Sequence, residues 1–180
     1  MNASSMKLVR RSLGPALALL LLPLVAAGDD ATPLIDKVRN ATAKYVDINV
    51  AFKEKFVVAT PCVSGPDTGA MGVHLVLPSR LSTVVLDPTR PQALIYEPMA
   101  DGAMRLVGVE FIVLESVWAA NNPPDSVPAL EGNLLNYIAY PNRYGLGAFY
   151  EMHVWAWEDN PKGSYADWNT HVTCSHQPLP

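Results

Sequence analysis

Side chains of one apolar stripe recur every three or four positions between residues 31 and 56, which is the period of an amphipathic helix. Asp30 or Thr32 can cap the start of such a helix, and Pro33 suits its first turn. The residues on the stripe are Leu34, Ile35, Val38, Thr42, Tyr45, Val46, Ile48, Ala51, Phe52 and Phe56. The pattern therefore predicts one helix, or two in succession, at the start of the folded region.

Beyond residue 56 the pattern changes to short apolar runs that are separated by turn-forming residues. Four of these runs predict strands, at residues 73–77, 93–98, 104–114 and 148–157. The turn signal Ala100-Asp101-Gly102 joins the second and third runs into a hairpin. We expect residues 60–69 to form a loop and residues 130–140 to form a short helix.

Helices followed by strands, with a hairpin among them, predict an α+β fold in which an N-terminal helix or helices pack on an antiparallel sheet. The alternative is a small closed β-barrel of the cupin-like kind. A parallel α/β fold is not expected, because the helices that would connect parallel strands are missing from the pattern.

Residues 1–27 have the pattern of a secretory signal peptide, with a basic start, an apolar stretch at residues 13–25 and small residues at the end. The apolar stretch is shorter than the roughly 20 residues that span a membrane comfortably. We therefore expect residues 28–180 to form a single exported domain, periplasmic or secreted, with no membrane span in the mature chain.

Cys62 and Cys174 are the two cysteines of the chain. In an oxidising compartment two cysteines usually pair, so export predicts a disulfide between them. Neither cysteine belongs to a CxxC motif or stands beside a histidine in the way that a metal-binding or catalytic thiol would.

The formal net charge is −4 at pH 7, and no basic stripe stands out, so nucleic acid is not expected as a partner. The chain has no Gly-x-Ser-x-Gly elbow, P-loop, dinucleotide fingerprint or HExxH motif. These absences disfavour the common hydrolases, nucleotide enzymes and zinc proteases, and they leave open whether the protein is an enzyme.

Four ionisable residues lie inside apolar runs: His74, Glu97, Glu110 and His153. Burial of such groups is costly unless a partner compensates for it. Two imidazoles with one or two carboxylates make a mixed nitrogen and oxygen donor set, which suits Zn, Fe, Mn or Ni. This pattern predicts His74 and His153 as metal ligands and Glu97 or Glu110 as the third. The other carboxylate would then orient a ligand or act as a general base.

Alternation along a strand places Glu151, His153 and Trp155 on one face. We expect Glu151, Trp155 and Tyr96 to line the same pocket. Scattered methionines add copper to the ions that could bind, since thioethers favour Cu(I).

Three functions fit these residues. The first is metal binding, with metal-dependent catalysis on a small molecule as its extension. The second is a metal-free module in which the same residues hydrogen-bond to one another and orient a small ligand. The third is a structural or envelope-interaction protein whose polar residues fix the strand register.

Several blocks of the chain form a recognisable set. In the tail they are His153-Val154-Trp155-Ala156-Trp157, Asn160-Pro161, Gly163, Tyr165, Asp167-Trp168-Asn169 and Cys174, and earlier they are Met71-Gly72-Val73-His74, Leu94-Ile95-Tyr96-Glu97-Pro98 and Val107-Gly108-Val109-Glu110-Phe111. The set resembles a family of uncharacterised exported bacterial proteins over most of the mature chain. The resemblance implies a bacterial, exported protein and brings no activity with it.

Overall fold

The computed structural model describes Met1 and residues 33–177. Apart from Met1, the predicted signal peptide lies outside the described residues, and so do the predicted helix caps Asp30 and Thr32. Within residues 33–177, no helix is long and apolar enough to cross a membrane.

The chain after residue 32 begins with two short helices, α1 (Pro33–Thr42) and α2 (Ile48–Lys53), joined by a 3-10 turn at Ala43–Val46. Asp47 is the N-cap of α2: its carboxylate accepts a hydrogen bond of 3.0 Å from the backbone N–H of Asn49. The buried residues of α1 are Leu34, Ile35, Val38 and Thr42. The helical stripe in the sequence is thus confirmed, in the form of two helices in succession.

Eight strands follow, two of which form a small separate hairpin. They are β1 (Val57–Gly65), β2 (Gly69–Val76), β3 (Ala93–Pro98), β4 (Met104–Leu114), β5 (Ala129–Leu130), β6 (Asn133–Leu134), β7 (Asn136–Ile138) and β8 (Phe149–Val154). The main sheet is antiparallel in the order β1-β2-β3-β4-β8-β7, and β5 pairs with β6. A short helix α3 (Glu115–Ala119) follows β4.

The predicted hairpin is confirmed, because β3 and β4 have the predicted bounds and pair with each other. Two other predictions are wrong. Residues 60–69 belong largely to β1, and residues 130–140 contain β5, β6 and β7 instead of a helix. Strand β1 is an edge strand with three register irregularities, a place where proline and glycine are tolerated. Strand β7 forms through pairing with β8, a non-local contact that local pattern does not report.

One face of the sheet packs against the helices and forms the main apolar core. Its buried residues include Leu34, Ile35, Val38, Tyr45, Ala51, Val73, Leu75, Leu94, Tyr96, Val109, Phe111, Met152 and Val154. This arrangement confirms the α+β prediction. The sheet is also strongly curled, as half a barrel would be, which fits the closed-barrel alternative in part.

The opposite face of the sheet carries two smaller apolar clusters. One is Ala70, Ile95, Val107, Trp155 and Val172, and the other is Val76, Ala93, Ile112 and Phe149. Along β2, β4 and β8, the residues between these two clusters include His74, Glu110 and His153. The fold therefore encloses a set of ionisable groups between two apolar clusters.

The predicted disulfide is confirmed: Cys62 in β1 is bonded to Cys174, with 5.6 Å between the two Cα atoms. The tail is also held by two backbone hydrogen bonds of 3.0 Å between Ala70 and Asn169. These attachments fix the tail against the start of β2.

Replacement of both Cys62 and Cys174 by serine should lower the free energy of unfolding. The bridge closes a loop of 112 residues, which is worth up to about 5 kcal/mol in the chain-entropy model. Urea unfolding of the double variant and of the wild-type protein measures the difference. As a control, a reductant should destabilise the wild-type protein to the level of the double variant and leave the variant unchanged. Equal stability of the oxidised wild type and the variant would contradict the prediction.

Candidate metal centre

The curl of the sheet brings together side chains from strands that are not neighbours. His74 lies on β2 and His153 on β8, so β3 and β4 separate them in the sheet. In a flat sheet this separation is about 14 Å, three strand spacings. The Nε2 atoms of the two imidazoles are nevertheless only 3.2 Å apart. The face that carries the histidines is therefore the concave one.

Cross-strand pairing and one glycine arrange the side chains on this face. Ala93 of β3 pairs with Glu110 of β4, which in turn pairs with His153 of β8. A Cβ atom on Gly108 would lie 2.9 Å from the carbonyl oxygen of Val154 and 3.3 Å from the ring of Trp155. Gly108 thus allows Trp155 to lie close to β4, where its ring stacks on His153 with 5.9 Å between the centroids.

Three ligand atoms converge at the centre of the concave face. Nε2 of His74 is 3.2 Å from Nε2 of His153 and 3.7 Å from Oε2 of Glu110. The side chains of all three residues are fully buried. Bonds of about 2.0–2.2 Å to a tetrahedral zinc ion would place neighbouring ligand atoms about 3.3–3.5 Å apart. The three groups are therefore close enough to hold one metal ion.

Each of the three converging groups also contacts a further oxygen atom. Nδ1 of His74 is 3.2 Å from the hydroxyl of Thr60, and Nδ1 of His153 is 3.0 Å from Oε2 of Glu151. The hydroxyl of Tyr144 donates a hydrogen bond of 2.7 Å to Oε2 of Glu110. Histidines that bind a metal through one nitrogen commonly face an oxygen with the other, which is the arrangement found here.

A second set of potential ligands overlaps the first. Glu151, Asp167 and the Nδ1 atom of His153 also lie within reach of a single ion. Both sets contain His153, and the second would use the nitrogen that faces Glu151. Because the two Nε2 atoms face each other, we take His74, Glu110 and His153 as the centre.

The cluster contains buried polar atoms that have no hydrogen-bond partner: Oε1 of Glu110, Oε2 of Glu151 and Nδ1 of His153. The last two are 3.0 Å apart but lack hydrogen-bond geometry. An unsatisfied buried polar group costs about 1–3 kcal/mol. Either a cation between these groups or a proton shared among them would remove this cost.

Burial determines which groups carry charge. Burial, and then the neighbouring His153, lower the pKa of His74 from 6.5 to about 3, so His74 is neutral at physiological pH. Burial, followed by the negative charge of Glu151, raises the pKa of Glu110 well above its usual value. Burial acts in the same direction on Glu151, but the imidazole of His153, 3.0 Å away, outweighs it and lowers the pKa of Glu151. A neutral imidazole is the form that binds a metal.

A cavity of about 650 Å³ adjoins the cluster. Its wall consists of Met71, Ile138, Ala139, Pro141, Asn142, Arg143, Tyr144, Phe149, Glu151, Asp167 and Trp168. Glu151 is part of this wall, and Tyr144 belongs both to the wall and to the cluster. The volume is in the range of small-molecule sites, about 300–1,000 Å³.

The structure does not bring Glu97 to the cluster, which corrects its prediction as a ligand or general base. Oε2 of Glu97 accepts hydrogen bonds of 2.5 and 3.2 Å from Arg105, and Oε1 accepts one of 2.9 Å from the backbone N–H of Thr173. Both oxygens are therefore already satisfied. Glu97 neutralises Arg105, its partner across the β3–β4 hairpin, and helps to hold the tail.

The prediction that Tyr96 lines the pocket is also corrected. Its side chain is fully buried in the main core, on the helix side of the sheet. Its hydroxyl donates a hydrogen bond of 2.8 Å to the carbonyl oxygen of Tyr45. Tyr96 alternates with Ile95 and Glu97, so it must point away from the face that carries the histidines.

Sequence reasoning missed Thr60, Arg143, Tyr144 and Asp167. Thr60 lies in the edge strand that we predicted as a loop, and the other three lie in irregular segments. Hydrophobic periodicity carries no information about irregular segments. Asp167 does belong to the Asp-Trp-Asn block of the family resemblance, which was the available signal.

Comparison of the chain with protein-family models, curated proteins and solved structures finds no match. The family resemblance stays a prediction, and function has to be argued from the site itself.

Replacement of Tyr144 by phenylalanine should destabilise the metal-free protein by about 1–3 kcal/mol, because it removes the donor to the buried Glu110. The aromatic contacts of the ring with His74 and Phe149 are kept in this variant. Tyr140→Phe is the matched control, since Tyr140 is 69% exposed. Urea unfolding measures both variants, and equal stability of the two would show that the Tyr144 hydroxyl contributes nothing to the cluster.

Proposed function

We propose that this protein binds a metal ion through Nε2 of His74, Nε2 of His153 and Oε2 of Glu110. The observation that carries the proposal is the convergence of these three atoms, 3.2 and 3.7 Å apart, in a fully buried site. The other oxygen of this carboxylate supports the proposal, because Oε1 of Glu110 is buried without a hydrogen-bond partner and a cation beside the carboxylate would offset the cost of burying it.

The donor set favours a divalent transition metal. Two imidazole nitrogens and one carboxylate oxygen suit Zn, Fe, Mn or Ni. Copper(I), which prefers thioethers, has less support: Met152 is packed in the main core, and Met71 contacts Arg143 in the cavity. Geometry and metal supply would decide among the first four ions.

The adjacent cavity extends the proposal to a small molecule. Glu151 contributes to the cavity wall and also lies 3.0 Å from His153. In a metal-dependent reaction this carboxylate would orient His153 and could accept a proton from a bound molecule. Glu110 would serve as a ligand, and Glu97 would take no part.

The second candidate function is a metal-free ligand-binding module. A distance of 3.2 Å between the two Nε2 atoms also fits a hydrogen bond in which one imidazole donates to the other. In that arrangement Glu110, with its raised pKa, would keep its proton and donate a hydrogen bond to Glu151. The cavity would then bind its ligand without an ion.

We also propose that the protein acts outside the cytoplasm. The support is the Cys62–Cys174 disulfide, since such bonds persist in oxidising compartments. The predicted signal peptide also favours export. Both the signal peptide and a bacterial source stay predictions.

The wild-type protein, purified without a nickel column, should bind about one metal ion per chain. His74→Gln and His153→Gln should each weaken binding more than about 100-fold, because each removes a ligand. An ion that binds only the native state should stabilise it by about 2.7 kcal/mol at 100 times its dissociation constant. Elemental analysis and calorimetric titration with Zn, Mn, Fe and Ni measure these effects.

The matched control is His171→Gln, because the His171 side chain is 50% exposed and lies outside the cluster. This variant should bind metal as the wild type does. If no ion binds stoichiometrically or raises the melting temperature of the wild type, the metal proposal is wrong and the metal-free module takes its place. Equal loss in all three histidine variants would show non-specific binding.

Glu151→Gln should weaken metal affinity by about 10- to 100-fold without abolishing binding, because Glu151 faces His153 and does not contribute one of the three ligand atoms. The same titration compares this variant with His153→Gln. A loss as large as that of His153→Gln would instead make Glu151 a ligand.

A further inference from the structure

We propose that the cavity binds a small carboxylic acid that also carries a hydroxyl or amino group, with Arg143 holding the carboxylate and Asp167 and Glu151 accepting from the donor group. This inference deepens the proposed function. The binding of the acid does not depend on the metal ion. Only the contact between the bound acid and the metal centre rests on the proposed function.

Arg143 is a cation in the cavity wall that forms no salt bridge with a carboxylate of residues 33–177. Burial raises the pKa of Asp167, and the charge of Arg143 is near enough to oppose that rise, but the two groups do not pair. Nη1 of Arg143 lies 2.6 Å from the sulfur of Met71. The guanidinium carbon lies over the ring of Trp168, 5.7 Å from the ring centroid. A thioether is a weak acceptor, and an arginine has five N–H donors. Most of these donors are therefore available to a ligand.

A planar guanidinium group with free donors fits a carboxylate through two parallel hydrogen bonds. Trp168 and Met71 contact Arg143 and limit the directions in which its side chain can lie. The loss of side-chain entropy when a ligand binds is therefore smaller than for a mobile surface arginine.

Two acidic residues in the same wall restrict the rest of the ligand. Asp167 and Glu151 both line the cavity, and the Asp167 side chain is 34% exposed. Carboxylates repel an anion and accept hydrogen bonds from hydroxyl or ammonium groups. A ligand that satisfies the whole wall must place its anionic group at Arg143 and a donor at these two residues.

Apolar side chains also form part of the wall. Ile138, Pro141, Phe149 and Trp168 line the cavity together with the polar residues. Apolar surface with convergent polar groups is typical of a site that binds a small organic molecule with an apolar body. A simple inorganic anion would leave this surface without a partner.

One loop carries both Arg143, which would bind the ligand's carboxylate, and Tyr144, which contacts the proposed metal centre. Arg143 lines the cavity, and the next residue, Tyr144, donates a hydrogen bond to Glu110. A molecule held by Arg143 would thus lie beside the residue that contacts a proposed metal ligand. This connection is what makes the bound acid a candidate substrate.

The test uses the full mature chain, with and without metal, and three related probes: 4-hydroxybenzoate, 4-hydroxybenzamide, which lacks the charge, and benzoate, which lacks the hydroxyl group. Calorimetry or NMR titration measures their affinities. We expect 4-hydroxybenzoate to bind at least about tenfold more tightly than the amide, because the amide cannot make charge-assisted hydrogen bonds to Arg143. Benzoate should bind more weakly than 4-hydroxybenzoate, because Asp167 and Glu151 lose their donor.

Arg143→Gln should lower the affinity for 4-hydroxybenzoate at least about tenfold, and Arg143→Lys should give an intermediate value, because lysine keeps the charge and loses the planar fork. The control is Arg90→Gln, which removes the same charge at an exposed position outside this cavity and should leave affinity unchanged. If Arg143→Gln does not fold, Arg143→Lys and the comparison of acid with amide decide the matter.

The inference is overturned if the acid does not bind, if acid and amide bind equally, or if Arg143→Gln matches the wild type. Metal content is measured in the same samples, so the two proposals fail separately. Arg143-dependent binding to a protein that takes up no metal would support the acid site and refute the metal centre. Metal uptake without acid binding would support the metal centre and refute the acid site.

Discussion

The curl of the main sheet is the constraint on which the site depends. Two strands lie between β2 and β8, and only a sheet bent towards its polar face allows their imidazoles to approach to 3.2 Å. Gly108 allows Trp155 to pack against β4 at this face, because a Cβ atom there would lie 2.9 Å from the carbonyl oxygen of Val154 and 3.3 Å from the ring of Trp155. The helices pack on the other face and stabilise the curled sheet from outside.

The two faces of the sheet have different roles. The face against the helices is apolar and supplies most of the buried hydrophobic surface. The concave face has apolar clusters on both sides of the ionisable groups, which keep water away from His74, Glu110 and His153. Low polarity around charged groups strengthens their interactions with one another and with any ion or ligand they bind. The main apolar core and the ionisable cluster thus lie on opposite faces of one sheet.

Local pattern was sufficient for the elements that depend on local interactions. The stripe of α1 and the turn between β3 and β4 are examples, since each contains its own helical or hairpin signal. It was insufficient for β1, an irregular edge strand that contains proline and glycine, and for β7, which exists as a strand through its pairing with β8. Expectations from sequence were weakest where tertiary structure decides which backbone conformation is stable.

The same distinction applies to the site. Ionisable residues in apolar runs pointed to His74, Glu110 and His153, because burial of such groups is unusual without a partner. Glu97 has the same sequence context, yet it pairs with Arg105, and nothing in the local pattern separates these two outcomes. Tyr144 and Asp167 reach the cluster from loops, whose paths depend on the whole fold.

The covalent attachment of the tail has a consequence for the order in which the molecule is completed. Asp167 and Trp168 belong to a segment that is anchored by the hydrogen bonds between Ala70 and Asn169 and then by Cys174. Part of the cavity wall is thus supplied by a segment that is secured by an oxidation step. Completion of this wall is therefore coupled to thiol chemistry as well as to folding.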